Sequence, residues 1–423
     1  MSHPVRARWI QLGLGLLCMM SISSPQYIWT LFTKPLAAKL GVTLPELQVT
    51  FSLLVFLQAF LSPFQGSLID RFGARTLISV GTVVAGSSWI LASYAQSEAM
   101  LYLTYGVLGG IGTGIVYVGV VGLVVRWFPE KRGFAAGIAA AGYGMGAIVT
   151  TFPIAASLAR DGVESTLWTF GIVFAIVGFL AAQGLRMPAG AAAEVAGSSR
   201  DRSPSQILRT PVFWLMFVMM SMMATSGLMV TSQMASFAAD FGVSTATVFG
   251  LAALPLALTI DRFCNGLTRP MFGFISDRIG REHTMFIAFT LEAVAMTLWL
   301  SLRSDPTLFV LLSGVVFLGW GEIFSLFPAT LTDTFGDRHA TANYGWLYIS
   351  FGVGSVFGGP LAALLHQHTG SWIPVFGTAI VLDVLTALLA LFVLKPMRQR
   401  VVGTAATLPQ TPAQHSGAYA SGP

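Results

Sequence analysis

Arg269 is the residue with the most chemistry to offer. It lies in a largely apolar stretch eight residues before Asp277, and eight residues of helix rise about 12 Å. If Asp277 marks the edge of a membrane span, the guanidinium sits near mid-depth, where an unpaired cation costs at least about 2.5 kcal/mol. Such a charge should face an aqueous pathway, a substrate or an acid. Its planar fork suits a carboxylate, which it can hold through two parallel hydrogen bonds. Glu322 is the acid at comparable depth, eleven residues before Asp333; it reads as a structural partner of Arg269 or as a proton carrier. Asp261 and Arg262 lie about two turns away, with Arg262 at i and i+7 to Arg269 and so on the same helical face. They form a mouth that attracts anions or a local surface pair. Glu292 and Asp383 are also intramembrane, and the sequence assigns them no role.

Aromatic residues fall near the same depth: Tyr27, Trp29, Tyr117, Tyr143, Trp320, Phe324, Tyr348 and Phe351. Singly each is explained by packing or an interfacial belt. Together with Arg269 they would enclose a small planar anion, with Gln26, Gln58, Gln233 and Asn265 as neutral hydrogen-bonding groups.

Other chemistries find little support. The run Gly109-Gly110-Ile111-Gly112-Thr113-Gly114 superficially resembles a phosphate cradle, but no Lys-Ser/Thr follows and it lies inside an apolar span, where small residues let helices approach. No Ser/His/Asp, carboxylate-pair or metal-ligand arrangement suggests an enzyme, and no bound cofactor is expected. Cys18 and Cys264 are far apart inside apolar stretches, which argues against a disulfide framework.

The elements that must position these residues are transmembrane helices. Of 423 residues, 54% are hydrophobic and 10% charged, against about 25% charged in soluble domains. Apolar stretches of about 20 residues, each able to cross a roughly 30 Å hydrocarbon core, recur as twelve spans. The first reads as a retained helix and not a removed signal peptide. The net charge of +5 is not a nucleic-acid footprint, because the basic residues sort by loop. Only Lys34, Lys39, Arg160 and Arg303 fall in loops opposite the N-terminus, so the positive-inside rule makes both termini cytoplasmic. The expected organisation is an all-α membrane protein, with an N-terminal six-helix bundle (1–187), a flexible cytoplasmic linker (188–209), a C-terminal six-helix bundle (210–396) and a disordered cytoplasmic tail (397–423).

An offset of 207 residues, as from Gln58 to Asn265, brings the halves into register. Ser62 falls on Arg269, Pro63 on Pro270, Gly66 on Gly273, Asp70 on Asp277, Arg71 on Arg278 and Gly73 on Gly280. The same offset pairs Gln26 with Gln233 and Tyr117 with Phe324. One register over several helices implies duplication of a six-helix unit. Arg269 faces a neutral repeat-mate, so the duplication does not require its charge.

The paired motifs Gly66-x-x-x-Asp70-Arg71-x-Gly73 and Gly273-x-x-x-Asp277-Arg278-x-Gly280 resemble the cytoplasmic signature of major facilitator transporters. Glycine permits the tight turn, while Asp and Arg pair or cap neighbouring helix ends and bias which face is open. The stretches Pro25-Gln26-Tyr27-Ile28-Trp29-Thr30, Arg126-Trp127-Phe128-Pro129-Glu130-Lys131-Arg132-Gly133, Ala141-Gly142-Tyr143-Gly144, Asn265-Gly266-Leu267-Thr268-Arg269-Pro270 and Asn343-Tyr344-Gly345 resemble the oxalate:formate antiporter family, from the first span to the last. The resemblance implies exchange of small carboxylates without ATP, with Arg269 as the binding arginine. It also implies a departure: the family's oxalate-transporting member has a lysine on helix eleven where Phe351 falls, and a glycine where Glu322 falls. Phe324 and Tyr348 replace a tyrosine and a tryptophan of its aromatic cage.

One cation among aromatics suits a monocarboxylate better than a dianion. The expectation is a secondary transporter of small organic anions in a bacterial inner membrane, by anion exchange or proton symport. Its partners would be a small organic anion, a counter-anion or a proton, and the lipid bilayer, with no nucleic acid; the chain would act as a monomer. The alternative within transport is proton-coupled efflux of a drug or cationic compound, in which Glu322 and Asp261 would bind substrate.

Overall fold

The computed structural model describes residues 5–188, 201–243 and 245–407. Among the described residues eight helices are long and apolar enough to cross a membrane, and nine if one bent pair counts as a single span. The twelve expected spans are recovered once the irregular ones are traced. Span 1 is broken into Val5–Ser21, Ser24–Tyr27 and Trp29–Leu40, and span 2 into Leu44–Phe60 and Ser62–Phe72, bent by 51°. Span 3 is Ala74–Ser93 and span 4 is Glu98–Trp127. Arg132–Gln183 is 52 residues long and turns back at Gly162 (φ 79°), so it supplies spans 5 and 6. Span 7 is Pro211–Asp240, and span 8, Ala253–Ile279, carries Asp261, Arg262, Arg269, Asp277 and Arg278. These charges lower its mean hydropathy, and their placement is what makes it informative. Span 9 is Arg281–Ser301 and span 10 is Pro306–Trp320 with Ile323–Phe335, broken at Gly321 and Glu322. Spans 11 and 12 are Ala340–Thr369 and Ile373–Gly403.

Span 4 packs at the centre, with 83% of its apolar window buried, whereas span 12 lies outside at 33%. Glycine explains the close approach of span 4: a Cβ at Gly112 would stand 2.5 Å from the Ala85 nitrogen of span 3. Large apolar side chains remain exposed around the exterior, among them Phe64, Leu103, Phe152, Val381 and Phe392, as a lipid-facing surface requires.

Two features differ from the sequence expectation. The linker residues 201–209 are docked: Arg202 N donates to the Phe335 carbonyl (3.0 Å), Asn343 Nδ2 to the Arg202 carbonyl (3.0 Å), and Ile207 is buried. A buried apolar anchor outweighs the polar composition around it; linker residues 189–200 lie outside the described residues. The expected tail begins as a helix, Lys395–Thr407. Arg398 holds it, pairing with Glu282 and donating to Thr334 Oγ1 (2.7 Å). Residues 408–423 lie outside the described residues.

The cores show which face is sealed. One buried cluster joins both halves toward the face bearing the termini, from Leu12 and Val125 to Phe335 and Tyr348. Toward the opposite face the core splits, into a cluster around Trp29 and Trp89 in the first half and another around Phe237 and Trp299 in the second.

Candidate functional site

Arg269 is buried where the halves cross, with 1% of its surface exposed. Gly137 permits that crossing, since a Cβ there would lie 2.3 Å from the Arg269 carbonyl oxygen. The guanidinium therefore reaches from span 8 onto span 5, where Nη1 donates to the Ala140 carbonyl (2.5 Å). Nη2 donates to Asn265 Oδ1 one turn earlier (2.8 Å), while Nε is buried without a partner. The guanidinium carbon stands 4.7 Å from the centre of the Phe324 ring, a cation–π contact that retains the positive charge without cancelling it.

The expected aromatics converge around this cation. Tyr117 stacks on Tyr348 (4.9 Å), Tyr348 on Phe351 (5.5 Å), and Phe351 meets Phe324 edge-on (5.1 Å). Tyr27 and Tyr117 each meet Tyr143 edge-on at 5.3 Å. Neutral polar groups complete the enclosure: Tyr143 Oη donates to Gln26 Oε1 (2.5 Å) and lies 3.3 Å from Gln58 Oε1, and Gln58 Nε2 donates to Tyr348 Oη (3.3 Å). Both halves contribute, through spans 1, 2, 4 and 5 on one side and spans 8, 10 and 11 on the other. Tyr344, buried and 5.7 Å from Tyr348, joins this cluster. Nothing in the sequence separated it from the other aromatics of span 11 except its position one turn before Tyr348.

Other candidates lie elsewhere. Trp29 packs in the peripheral core of the first half, on Tyr105 (4.8 Å), and is not part of the enclosure. Trp320 stands at its edge, 6.3 Å from Phe324, with its indole donating to the Met223 carbonyl (2.9 Å). Gln233 is half-buried and joins none of these contacts, and Arg262 is exposed. Asp261 is buried beside Ser313 of span 10, inside the second half. Asp261 is thus buried where Arg262 is exposed, although the Arg262 charge still reaches it.

Glu322 does not pair with Arg269. Both of its carboxylate oxygens are buried without a hydrogen-bond partner. The charges of Asp383 and Arg269 act on it, and its own charge acts on Glu292. Helix spacing gives a depth for Glu322 but not its direction, which the break in span 10 sets.

The motif loops lock the terminus-bearing face. Asp70 accepts from Arg126 Nη2 (2.6 Å) and from Ala342 N at the start of span 11 (2.9 Å). Asp277 plays the matching part from the other half, accepting from Gly133 N (3.0 Å) and Phe134 N (2.9 Å) at the start of span 5 and pairing with Arg281 (2.5 Å). Each motif aspartate thus caps a helix of the opposite half. Gly66 and Gly273 allow the approach, because Cβ atoms there would lie 2.5 Å from the Thr341 carbonyl and 2.2 Å from the Gly133 carbonyl. Gly73 (φ 91°) and Gly280 (φ 96°) make the turns.

Arg71 and Arg278, the motif arginines, are not the aspartates' partners; they lie over Phe72 (5.2 Å) and Phe274 (4.1 Å). The cations that close the lock, Arg126, Arg132 and Arg281, come from other spans. Arg132 bridges the halves to Asp333 (2.6 Å) and Asp337 (2.5 Å). Burial pushes the Asp337 carboxyl above its usual range, against the pull of Arg132 and Arg126.

Two bundles crossing at glycines, with a cation and aromatic groups enclosed between them and a charged lock on one face, have the architecture of a membrane carrier. The Major Facilitator Superfamily profile matches residues 12–263 and 256–416, and the chain belongs to that superfamily of membrane transporters, not to any class of enzyme. Within it the chain belongs to the family of the oxalate:formate antiporter of Oxalobacter formigenes, to which it is 32% identical over 411 residues, covering 96% of each chain. It is also 28% identical over 359 residues to the uncharacterized MFS-type transporter YhjX of Escherichia coli (strain K12), over 84% of this chain and 87% of that one. The structure of the proton:xylose symporter XylE matches with a TM-score of 0.70 at 12% identity, covering 92% of this chain and 96% of that one, a likeness of fold alone.

Proposed function

We propose that this carrier moves small organic anions, monocarboxylates in preference to dicarboxylates, across a bacterial inner membrane with both termini in the cytoplasm. The observation that carries the reading is Arg269: a buried guanidinium at the crossing of the halves, bound only by neutral acceptors and an aromatic face. A carboxylate supplies the missing negative charge, and the fork can bind it through two hydrogen bonds. Gln26, Tyr27, Gln58, Tyr117, Tyr143, Trp320, Phe324, Tyr348 and Phe351 are assigned to the substrate enclosure. The similarity to an oxalate:formate antiporter supports the carboxylate class. Phe351 within the enclosure, bringing no second charge, supports a monoanion.

Transport proceeds by rocking of the two bundles, from the state with the terminus-bearing face locked to one in which the lock around Asp70 and Asp277 opens. The carrier works as a monomer and takes no cofactor. Its driving partner is a counter-anion or a proton. Reconstituted protein, tested for uptake of formate, acetate, lactate and oxalate with and without internal anion, decides the matter. Saturable monocarboxylate uptake that Arg269→Gln abolishes is the expected result. Uptake of an organic cation with no carboxylate transport would replace this reading by the efflux alternative.

A further inference from the structure

Three carboxyls lie behind the anion site, on spans 9, 10 and 12. Glu292, Glu322 and Asp383 are fully buried, and both carboxylate oxygens of each lack a hydrogen-bond partner. They are electrostatic neighbours: the charges of Asp383 and Glu322 act on Glu292, and those of Asp383 and Arg269 act on Glu322. The elements around them bring little compensation. Span 7 presents the neutral Ser226 to Asp383, and span 8 presents Arg269, whose charge reaches Glu322 from the substrate side. Among the described residues no other cation is seen to act on the group. Three bare carboxylates at this depth repel one another and have lost their hydration, so the site needs a positive ligand. Among the described residues no group of His, Cys, Asp or Glu is placed to hold a metal ion. A proton is the ligand that needs no coordination sphere, and it removes the charge that burial penalises.

The break in span 10 ties these acids to the substrate site. A Cβ at Gly319 would lie 2.7 Å from Glu292 Cβ, and one at Gly321 would lie 2.6 Å from the Asn265 carbonyl oxygen and 2.4 Å from Thr268 Cγ2. The same short segment therefore rests on Glu292 on one side and, on the other, on the turn that precedes Arg269. Glu322 follows directly, and Phe324, two residues on, faces the guanidinium. An anion that pulls Arg269 away from Asn265 or Phe324 must also move the backbone that carries Glu322.

We propose that Glu292, Glu322 and Asp383 form a shared proton-binding centre in the second half, with Glu322 exchanging its proton with the transport pathway and Glu292 and Asp383 holding it behind. The proposal rests on the carboxylate reading above. In one cycle a proton from water binds a carboxylate oxygen of the centre as the substrate anion binds Arg269, both leave on the far side, and the empty carrier returns without either.

The test uses the full-length protein in proteoliposomes, comparing accumulation of labelled lactate driven by an inward proton gradient with lactate counterflow at equal pH. Glu292→Gln and Asp383→Asn should each lower the ratio of driven accumulation to counterflow about tenfold, and shift the pH of half-maximal uptake by about one unit, because each removes one shared proton acceptor. A ratio and pH profile identical to the parent's in both variants would overturn the proposal and leave these acids as permanently protonated packing groups. A measurement on the parent protein removes dependence on the variants' folding. Lactate added to the purified carrier in weakly buffered detergent should draw about one proton per lactate bound. Binding without proton uptake overturns the proton centre alone, whereas absence of any carboxylate binding overturns the carboxylate reading and this proposal with it.

Discussion

Arg269 and Phe324, on spans 8 and 10 of the same half, hold a guanidinium carbon 4.7 Å from a ring centre, and the bonds that Arg269 makes go to neutral oxygens. A cation so placed keeps its capacity for an anion. Arg269→Gln should therefore abolish carboxylate uptake while leaving a folded, inserted protein. A hydrogen bond to a charged group contributes roughly 1.5–3 kcal/mol, so affinity should fall about ten- to a hundredfold. Arg269→Lys should restore little, for want of the fork. Uptake and thermal unfolding measured on the same preparations check this; normal transport by a folded Arg269→Gln protein removes the central claim.

Oxalate should be a poor substrate, since Phe351 stacks on Tyr348 and brings no second positive charge to the enclosure. Phe351→Lys should shift preference toward oxalate by about tenfold or more relative to lactate. Competition of unlabelled oxalate against labelled lactate measures it, and tight oxalate binding by the unmodified protein would contradict the argument.

The lock should set which face is open. Asp70 pairs with Arg126 in a largely buried bridge, with side-chain exposures of 11% and 7%. Breaking such a pair costs up to about 3–5 kcal/mol, enough to invert a two-state balance. Asp70→Asn should speed the labelling of a cysteine introduced at Thr341, which lies behind the lock, by reagents added from the terminus side. Unchanged labelling would show that the remaining bridges suffice.

Glycine contacts predict a steric block. Gly345→Val would place a Cβ 2.3 Å from the Ser62 carbonyl oxygen, whereas Gly377 has open space around it. Overpacking of this kind costs about 1–3 kcal/mol, so Gly345→Val should slow transport about tenfold or more, and Gly377→Ala should not. Initial uptake rates at matched protein content test the contrast.

Coupling should depend on Glu322, which has no hydrogen-bond partner and lies within range of the Arg269 charge. An anion bound at Arg269 offsets the positive charge that reaches Glu322, so substrate and proton should bind together. Glu322→Gln should lose uphill accumulation under an inward proton gradient. Uptake that requires internal anion and ignores pH would make the protein an exchanger and Glu322 a structural acid.

The membrane class, the twelve spans and the duplicated halves are legible in the chain alone. These depend on runs of apolar residues and on an offset within the chain, which are local properties. It also marked Asp70 and Asp277, because both copies of the motif retain them. Tertiary structure alone decided their partners: the motif arginines turn to Phe72 and Phe274, and Arg126, Arg132 and Arg281 arrive from other spans. Spacing along one helix gives depth and face, but not which neighbouring helix that face meets. For the same reason depth alone matches Glu322 to Arg269, whereas the break at Gly321 and the packing of spans 9 and 12 bring it within electrostatic reach of Asp383 and Glu292, two acids that the sequence could locate in apolar spans but not bring together.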